Sequence, residues 1–86
     1  MTRTYTLKPG VIETDLDDEL VLLDPNTQGM FSLNNTGRVI WHGLKNAESL
    51  EVIAQKLEQQ FSVTLEQAQN DAGALIAELE KAGLIS

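Results

Sequence analysis

The sequence predicts an α+β fold in which a three-stranded antiparallel sheet is followed by three α-helices. From Val11 to Leu33 the apolar residues follow the pattern of short strands, and from Asn34 onward they recur with a period near 3.6. Strands that are grouped before helices are typical of this class. The 86 residues have room for one hydrophobic core, so we expect a single domain over residues 1–86, with a flexible N-terminal arm at residues 1–9.

The three predicted strands are short and are joined by brief loops. In residues 12–17, Ile12, Thr14 and Leu16 alternate with acidic side chains, which is typical of a half-buried strand. Residues 20–23 form the continuous apolar run LVLL, so we expect this strand to be covered on both faces. A turn at Asp24-Pro25-Asn26 leads to the third strand, GMFSL, at residues 29–33. Loops this short favour an antiparallel meander.

Each predicted helix begins after a residue that can accept hydrogen bonds from the free backbone N–H groups of the first turn. These caps are Asn34 or Asn35 for a helix to about Leu44, Ser49 for a helix to about Phe61, and Thr64 for a helix to about Ala82. The apolar stripes expected to face the core are Leu50, Ile53, Ala54, Leu57 and Phe61 in the second helix, and Leu65, Ala68, Ala72, Leu75, Ile76 and Leu79 in the third. Thr64 with Gln67 predicts a capping box, and Gly83 predicts a left-handed residue after the third helix.

The composition argues against catalysis and metal binding. The chain has 13 acidic and 6 basic residues, a net charge of -7, one histidine and no cysteine. His42 has no partners in a recognisable catalytic motif, and one histidine with scattered carboxylates gives no metal-ligand spacing. We therefore predict no enzymatic activity, no metal and no cofactor. The start of the chain lacks the apolar segment of a signal peptide and no apolar run is long enough to span a bilayer, which predicts a cytoplasmic protein.

The combination of strands and three helices is also that of a winged helix-turn-helix fold, in which the third helix would contact DNA. Here that helix carries four carboxylates and only Lys81, a net charge of -3. Affinity for nucleic acid depends on Lys and Arg contacts to phosphate, so the charge disfavours this partner, and anionic membranes for the same reason. Nucleic-acid binding is therefore the alternative function, and we expect this fold to serve another partner.

The third predicted strand has the composition of an open sheet edge. No charged residue and no proline lies between Thr27 and Arg38, so nothing in this segment guards it against pairing with another strand. If the third helix lies beside it, the two elements form a groove with an apolar floor and an acidic rim. Such a groove suits an extended peptide with apolar anchors and some Lys or Arg. The pattern alone leaves open that GMFSL is instead the central strand.

Several segments together resemble the PqqD family. They are Leu22-Leu23-Asp24, Gly29-Met30-Phe31, Leu33-Asn34-Asn35-Thr36-Gly37 and Val39-Ile40-Trp41, followed near the C-terminus by Asp71-Ala72, Leu75-Ile76, Leu79 and Gly83-Leu84-Ile85. The spacing is most similar to that of the free-standing recognition proteins of lasso peptide clusters. Two positions depart from the family pattern: Met30-Phe31, where two aromatic residues are frequent, and Ala72, where a larger β-branched residue is usual.

The resemblance implies a winged-helix-like domain that binds the leader region of a ribosomally synthesised, post-translationally modified precursor peptide as an added strand beside the third strand. It implies as partners this leader, a papain-like leader peptidase and, indirectly, an ATP-dependent macrolactam synthetase. The alternative within the family is a peptide chaperone for pyrroloquinoline quinone synthesis. The peptide-binding residues predicted on this basis are Gln28, Gly29, Met30, Phe31, Ser32, Leu33, Ala68, Asp71, Leu75 and Glu78. Leu75 is expected in the floor of the groove, and Asp71 and Glu78 at its rim.

Overall fold

The computed structural model describes residues 5–86 and contains three strands followed by three helices. The elements are β1 (Ile12–Asp15), β2 (Leu20–Asp24), β3 (Gly29–Leu33), α1 (Asn35–Lys45), α2 (Leu50–Phe61) and α3 (Leu65–Lys81). The strands form one antiparallel sheet with the helices after it in the chain, which confirms the predicted α+β class.

The sheet order β1-β2-β3 places β2 in the centre and the other two strands at the edges. Leu22 of β2 lies opposite Glu13 of β1 and Phe31 of β3, so these side chains are neighbours on one face of the sheet. Along β2, Leu20 and Leu22 are buried, whereas Val21 and Leu23 are only half-buried. The helices therefore cover one face of the sheet, and the expectation that the second strand is covered on both faces is wrong.

β1 is more exposed than its alternating sequence predicts. All four of its residues are exposed, including Ile12 at 49%, and Leu16 lies just beyond the strand at 43%. The hydrophobic core contains residues of β2, β3 and all three helices but none of β1. The expected half-buried first strand is therefore wrong, because β1 lies at the margin of a small sheet, beyond the part that the helices cover.

The predicted N-caps are confirmed at all three helices. The donor–acceptor distances are 2.9 Å from Gly37 N to Asn34 Oδ1, 3.2 Å from Val52 N to Ser49 Oγ, and 3.1 Å from Gln67 N to Thr64 Oγ1. The predicted capping box is half formed, because the Gln67 side chain donates to Asp71 Oδ1 at 2.9 Å rather than reaching back to the helix start.

α3 ends in a Schellman motif. Gly83 has a φ of 76°, in the left-handed region, which confirms the prediction for this residue. The N–H of Leu84 donates to the Leu79 carbonyl at 3.0 Å, and the N–H of Gly83 donates to the Glu80 carbonyl at 3.1 Å. The chain then turns back, and Leu84 and Ile85 are buried in the core.

The segment before β1 pairs with the C-terminus. The backbones of Thr6 and Ser86 exchange two hydrogen bonds, at 3.0 and 2.9 Å. A flexible arm was expected over residues 1–9, and residues 1–4 of that arm lie outside the described residues. For residues 5–9 the flexibility stays a prediction, although these two bonds attach part of the segment to the domain.

Close packing around Trp41, which is fully buried, joins the helices to the sheet. Gly43 lets α1 and α2 approach, because a Cβ atom at this position would lie 2.6 Å from Ile53 Cγ1.

Phe61 and Leu65 were expected to face the core, but they are 36% and 37% exposed. That expectation is wrong because both residues flank the turn between α2 and α3, beyond the parts of the two helices that pack together.

Within residues 5–86, no helix has both the length and the hydropathy needed to cross a membrane. The same residues contain no group of three or more side chains placed to hold a metal ion.

Candidate functional site

β3 presents an unpaired edge. It pairs with β2 on one side, and no strand among the described residues lies on the other. In such a strand alternate residues direct their backbone N–H and C=O groups outward, where a further strand can pair with them. The five residues of β3 include no charge and no proline. GMFSL is therefore an edge strand, and the alternative of a central strand is wrong.

The opposite edge strand, β1, carries charged side chains. Glu13 and Asp15 of β1 form ion pairs with Lys45 and Arg38 of α1, each at 2.9 Å. Partial burial opposes ionisation of Glu13, but the hydrogen bond and charge of Lys45 help to hold the pKa of its carboxyl below the usual value. Charged side chains protect an edge from pairing, so β3 rather than β1 is the edge open to another strand.

A groove of about 740 Å³ separates β3 from α3. Its apolar surface comes from Phe31 and Leu33 of β3, Ile40 of α1 and Leu75 of α3. Phe31 and Leu75 are half-buried, whereas the other two are buried core residues. The remaining lining residues are Asp18, Glu19, Ser32, Asn34, Thr36, Gly37, Asp71, Ala74 and Glu78. The groove thus combines an apolar floor with polar walls beside the open edge of β3.

A second, smaller cavity of about 50 Å³ adjoins the groove at Phe31, which lines both spaces. Its lining residues are Asp24, Thr27, Gly29, Met30, Phe31, Ala82 and Leu84. Met30 is 72% exposed, and Leu84 is buried. The two spaces together follow β3 over its whole length.

An ion pair holds the turn that leads into β3. Asp24 accepts hydrogen bonds from Lys8 Nζ at 2.6 Å and from the Asn26 N–H at 3.0 Å. The hydrogen bond from Lys8 lowers the pKa of the Asp24 carboxyl below its usual value, although burial of the group opposes this. Gln28 then adopts a left-handed conformation with a φ of 59°, directly before β3 begins. Asp24 therefore links the turn before β3 to the segment before β1 through its bond with Lys8.

The structure brings together most of the residues predicted for the site. Those that line the groove are Phe31, Ser32, Leu33, Asp71, Leu75 and Glu78. Gly29 and Met30 line the second cavity, whereas Gln28 lies in the turn and lines neither space. Ala68 has no exposed surface, because it lies on the side of α3 that packs into the core. A role of these ten residues in peptide binding stays a prediction.

Seven residues that line the groove were not predicted from the sequence. They are Asp18, Glu19, Asn34, Thr36, Gly37, Ile40 and Ala74. Ala74 could have been found, because it lies on the same helical stripe as the three predicted residues of α3 that line the groove. Asp18 and Glu19 reach the groove because the next residue, Leu20, pairs with Leu33, and this register was not evident from the sequence.

The groove is acidic. Asp18, Glu19, Asp71 and Glu78 line it, whereas none of the Lys, Arg or His residues within 5–86 does. Ser32 Oγ donates to Glu19 at 2.6 Å, and Gln67 Nε2 donates to Asp71 at 2.9 Å. These neutral donors orient the two carboxylates without neutralising them, so the groove favours a ligand that carries positive charge.

Comparisons with known proteins give one family and two similar structures. Residues 19–85 match the family described as "Coenzyme PQQ synthesis protein D (PqqD)". The solved structure "Lasso peptide synthetase B1 complexed with the leader peptide" is similar with a TM-score of 0.88 and 27% identity, over 98% of this chain and 99% of that chain. "TbiB1 in Complex with the TbiA(beta) Leader Peptide" is similar with a TM-score of 0.84 and 26% identity, over 93% of each chain. No curated protein matches the sequence.

Proposed function

The chain belongs to the PqqD family, and from this premise we propose that it is a non-catalytic recognition protein for the leader region of a ribosomally synthesised precursor peptide. The leader adds to β3 as a fourth strand and lies in the groove against α3. The observation that carries this proposal is the unguarded edge of β3 facing that groove. The two similar structures, each described with a leader peptide, support the same class of partner.

The affinity for such a peptide comes mainly from its side chains. Ordering one residue of a disordered leader costs about 1–2 kcal/mol, and each hydrogen bond to β3 returns roughly 0.5–1.5 kcal/mol. Backbone pairing therefore nearly breaks even, and burial of apolar anchors at about 25 cal/mol per Å² gives the net affinity. Phe31 and Leu75 provide the surface for these anchors, because both are half-buried in the free protein and line the groove.

The proposed pathway is lasso peptide biosynthesis, because one of the similar structures is a lasso peptide synthetase B1. In this pathway the protein presents the bound leader to a papain-like leader peptidase and, indirectly, to an ATP-dependent macrolactam synthetase. We propose that it acts in the cytoplasm. A leader held along β3 would leave the rest of the precursor free to reach these enzymes, so the role needs no catalytic residue in the groove.

Backbone methylation of the leader tests strand addition. A fluorescein-labelled synthetic leader from the precursor of the same gene cluster is methylated at one backbone nitrogen at a time, and its Kd is measured by fluorescence polarisation. Because alternate N–H groups of an added strand point to β3, we expect losses of roughly tenfold at every second residue. The positions between them are matched controls, since a methyl group there points away from β3. Equal losses at all positions, or none, would contradict strand addition.

The name of the matching family favours a second candidate, a peptide chaperone for pyrroloquinoline quinone synthesis. This role uses the same groove with a different peptide, so the choice depends on the ligand. Titration of the protein with a lasso leader and with the precursor peptide of pyrroloquinoline quinone distinguishes the two. Tighter binding of the lasso leader is the expected result, and the opposite order would assign the protein to the second pathway.

A further inference from the structure

Building on the proposed function, we infer that the groove selects leaders by charge at one end and by apolar contact at the other. A Lys or Arg side chain of the leader lies at the Leu33 end of β3. An apolar side chain lies at the Gly29 end.

The Leu33 end of the groove holds most of its carboxylates. Asp18 and Glu19 directly precede Leu20, which pairs with Leu33. Asp71 lies at the same end, because Ala82 lines the cavity beside Gly29 and Asp71 is about 16 Å farther back along the axis of α3. Of the four carboxylates that line the groove, three therefore gather at one end.

The negative charge at this end has no cationic partner among the described residues. Four of the described cations form ion pairs with carboxylates that do not line the groove: Lys8 with Asp24, Arg38 with Asp15, Lys45 with Glu13, and Lys56 with Glu48. Lys81 lies in the last turn of α3, about 15 Å along the helix axis from Asp71. A cation on the leader therefore gains attraction at the Leu33 end without displacing an existing ion pair.

The Gly29 end is chemically different. Its cavity is lined by exposed Met30 and buried Leu84, and Phe31 separates it from the acidic part of the groove. Asp24 also lines this cavity, but its charge is balanced by Lys8 at 2.6 Å. An apolar side chain of the leader gains contacts here, whereas a cation would meet a carboxylate that is already paired.

Strand geometry limits the spacing between the two leader residues. β3 spans five residues, so its ends are about 13 Å apart at roughly 3.3 Å per residue. Side chains on one face of a strand are separated by an even number of residues. The basic residue and the apolar residue of the leader are therefore four positions apart, or two positions where a long Lys or Arg side chain extends along the groove.

Selection from a displayed library of random peptides tests the inference without a known leader. The full chain is compared with its Asp71→Lys variant and with Glu58→Lys, a matched control with the same charge change on the exposed face of α2, away from both cavities. The wild type and the control should enrich Lys or Arg at least about threefold at two or four positions from an apolar residue. Asp71→Lys should lose this preference or replace it with Asp or Glu.

The outcomes separate this inference from the function on which it rests. If the wild type enriches no peptide, the proposed peptide recognition itself is wrong. If it enriches apolar peptides without a preference for Lys or Arg, or if Asp71→Lys keeps that preference, peptide recognition stands and the charge selection is overturned. Circular dichroism of the three proteins establishes that each variant is folded.

Discussion

Replacing Leu75 by Asp should weaken leader binding at least tenfold while the domain stays folded. Leu75 is half-buried in the groove, so a bound leader would bury its remaining exposed surface. Full burial of a leucine contributes about 1.5–3 kcal/mol, of which roughly 0.5–1 kcal/mol remains to be gained on binding. A carboxylate loses this gain and must also be desolvated against an apolar leader, at a cost of about 1–3 kcal/mol. The sum is about 1.5 kcal/mol or more, which is roughly tenfold or more in Kd.

Leu65→Asp is the matched control for this variant. Leu65 lies on the same helix, is 37% exposed and lines neither cavity, and a carboxylate is well tolerated in the first turn of a helix. Fluorescence polarisation with a labelled leader gives the two Kd values, and thermal unfolding shows that both proteins are folded. Equal affinities would refute the assignment of Leu75 to the floor of the peptide site. If Leu75→Asp unfolds, the smaller change Leu75→Ala should still weaken binding about threefold.

Four further predictions concern stability and salt. Lys8→Met should lower the free energy of unfolding near neutral pH, and the difference from the wild type should shrink as the pH falls below about 4 and disappear only below the lowered pKa of Asp24. The reason is that the ion pair with Lys8 lowers the pKa of Asp24 and stabilises the fold only while that carboxyl is ionised. Urea denaturation of both proteins at several pH values measures the difference in the free energy of unfolding. By the same method, Gly43→Ala should cost about 1–3 kcal/mol, because its Cβ would lie 2.6 Å from Ile53 Cγ1. Gly73→Ala, whose Cβ meets nothing within 4 Å in the interior of α3, should instead stabilise by roughly 0.5–1 kcal/mol. Polarisation titrations at about 50 and 200 mM salt should change the Kd of the leader only a few-fold, whereas a complex held by phosphate contacts would weaken by orders of magnitude.

The order of the elements and their boundaries follow from short-range chemistry and could be predicted. Asn34, Ser49 and Thr64 each cap a helix by accepting from an N–H three residues later. Gly83 is the left-handed residue of the Schellman motif that ends α3, a position that glycine occupies without steric cost. These interactions lie within a few residues of the chain, so a local pattern contains all the groups that take part.

Exposure was predicted less well, because it depends on which neighbours extend far enough to cover a side chain. Leu16, Phe61 and Leu65 all fit apolar periodic patterns, yet each lies at the margin of an element and is exposed. Ala68 and Leu75 fit the same stripe of α3, but Ala68 lies wholly within the core and Leu75 reaches the groove. Periodicity indicates which side of a helix faces the core, but it does not indicate how far the packed interface extends along the helix.

The candidate site likewise combines features that the sequence predicts with features that depend on the tertiary structure. The lack of charged residues in β3 and the carboxylates of α3 are properties of consecutive residues, so both can be read from the sequence alone. That β3 lies at an edge, that α3 stands beside it across a groove, and that Asp18 and Glu19 join the wall near Leu33 all follow from strand order, register and helix packing. These arrangements depend on contacts between segments far apart in the chain. They were established only by the folded structure, since burial and pairing are properties of surfaces that meet in space.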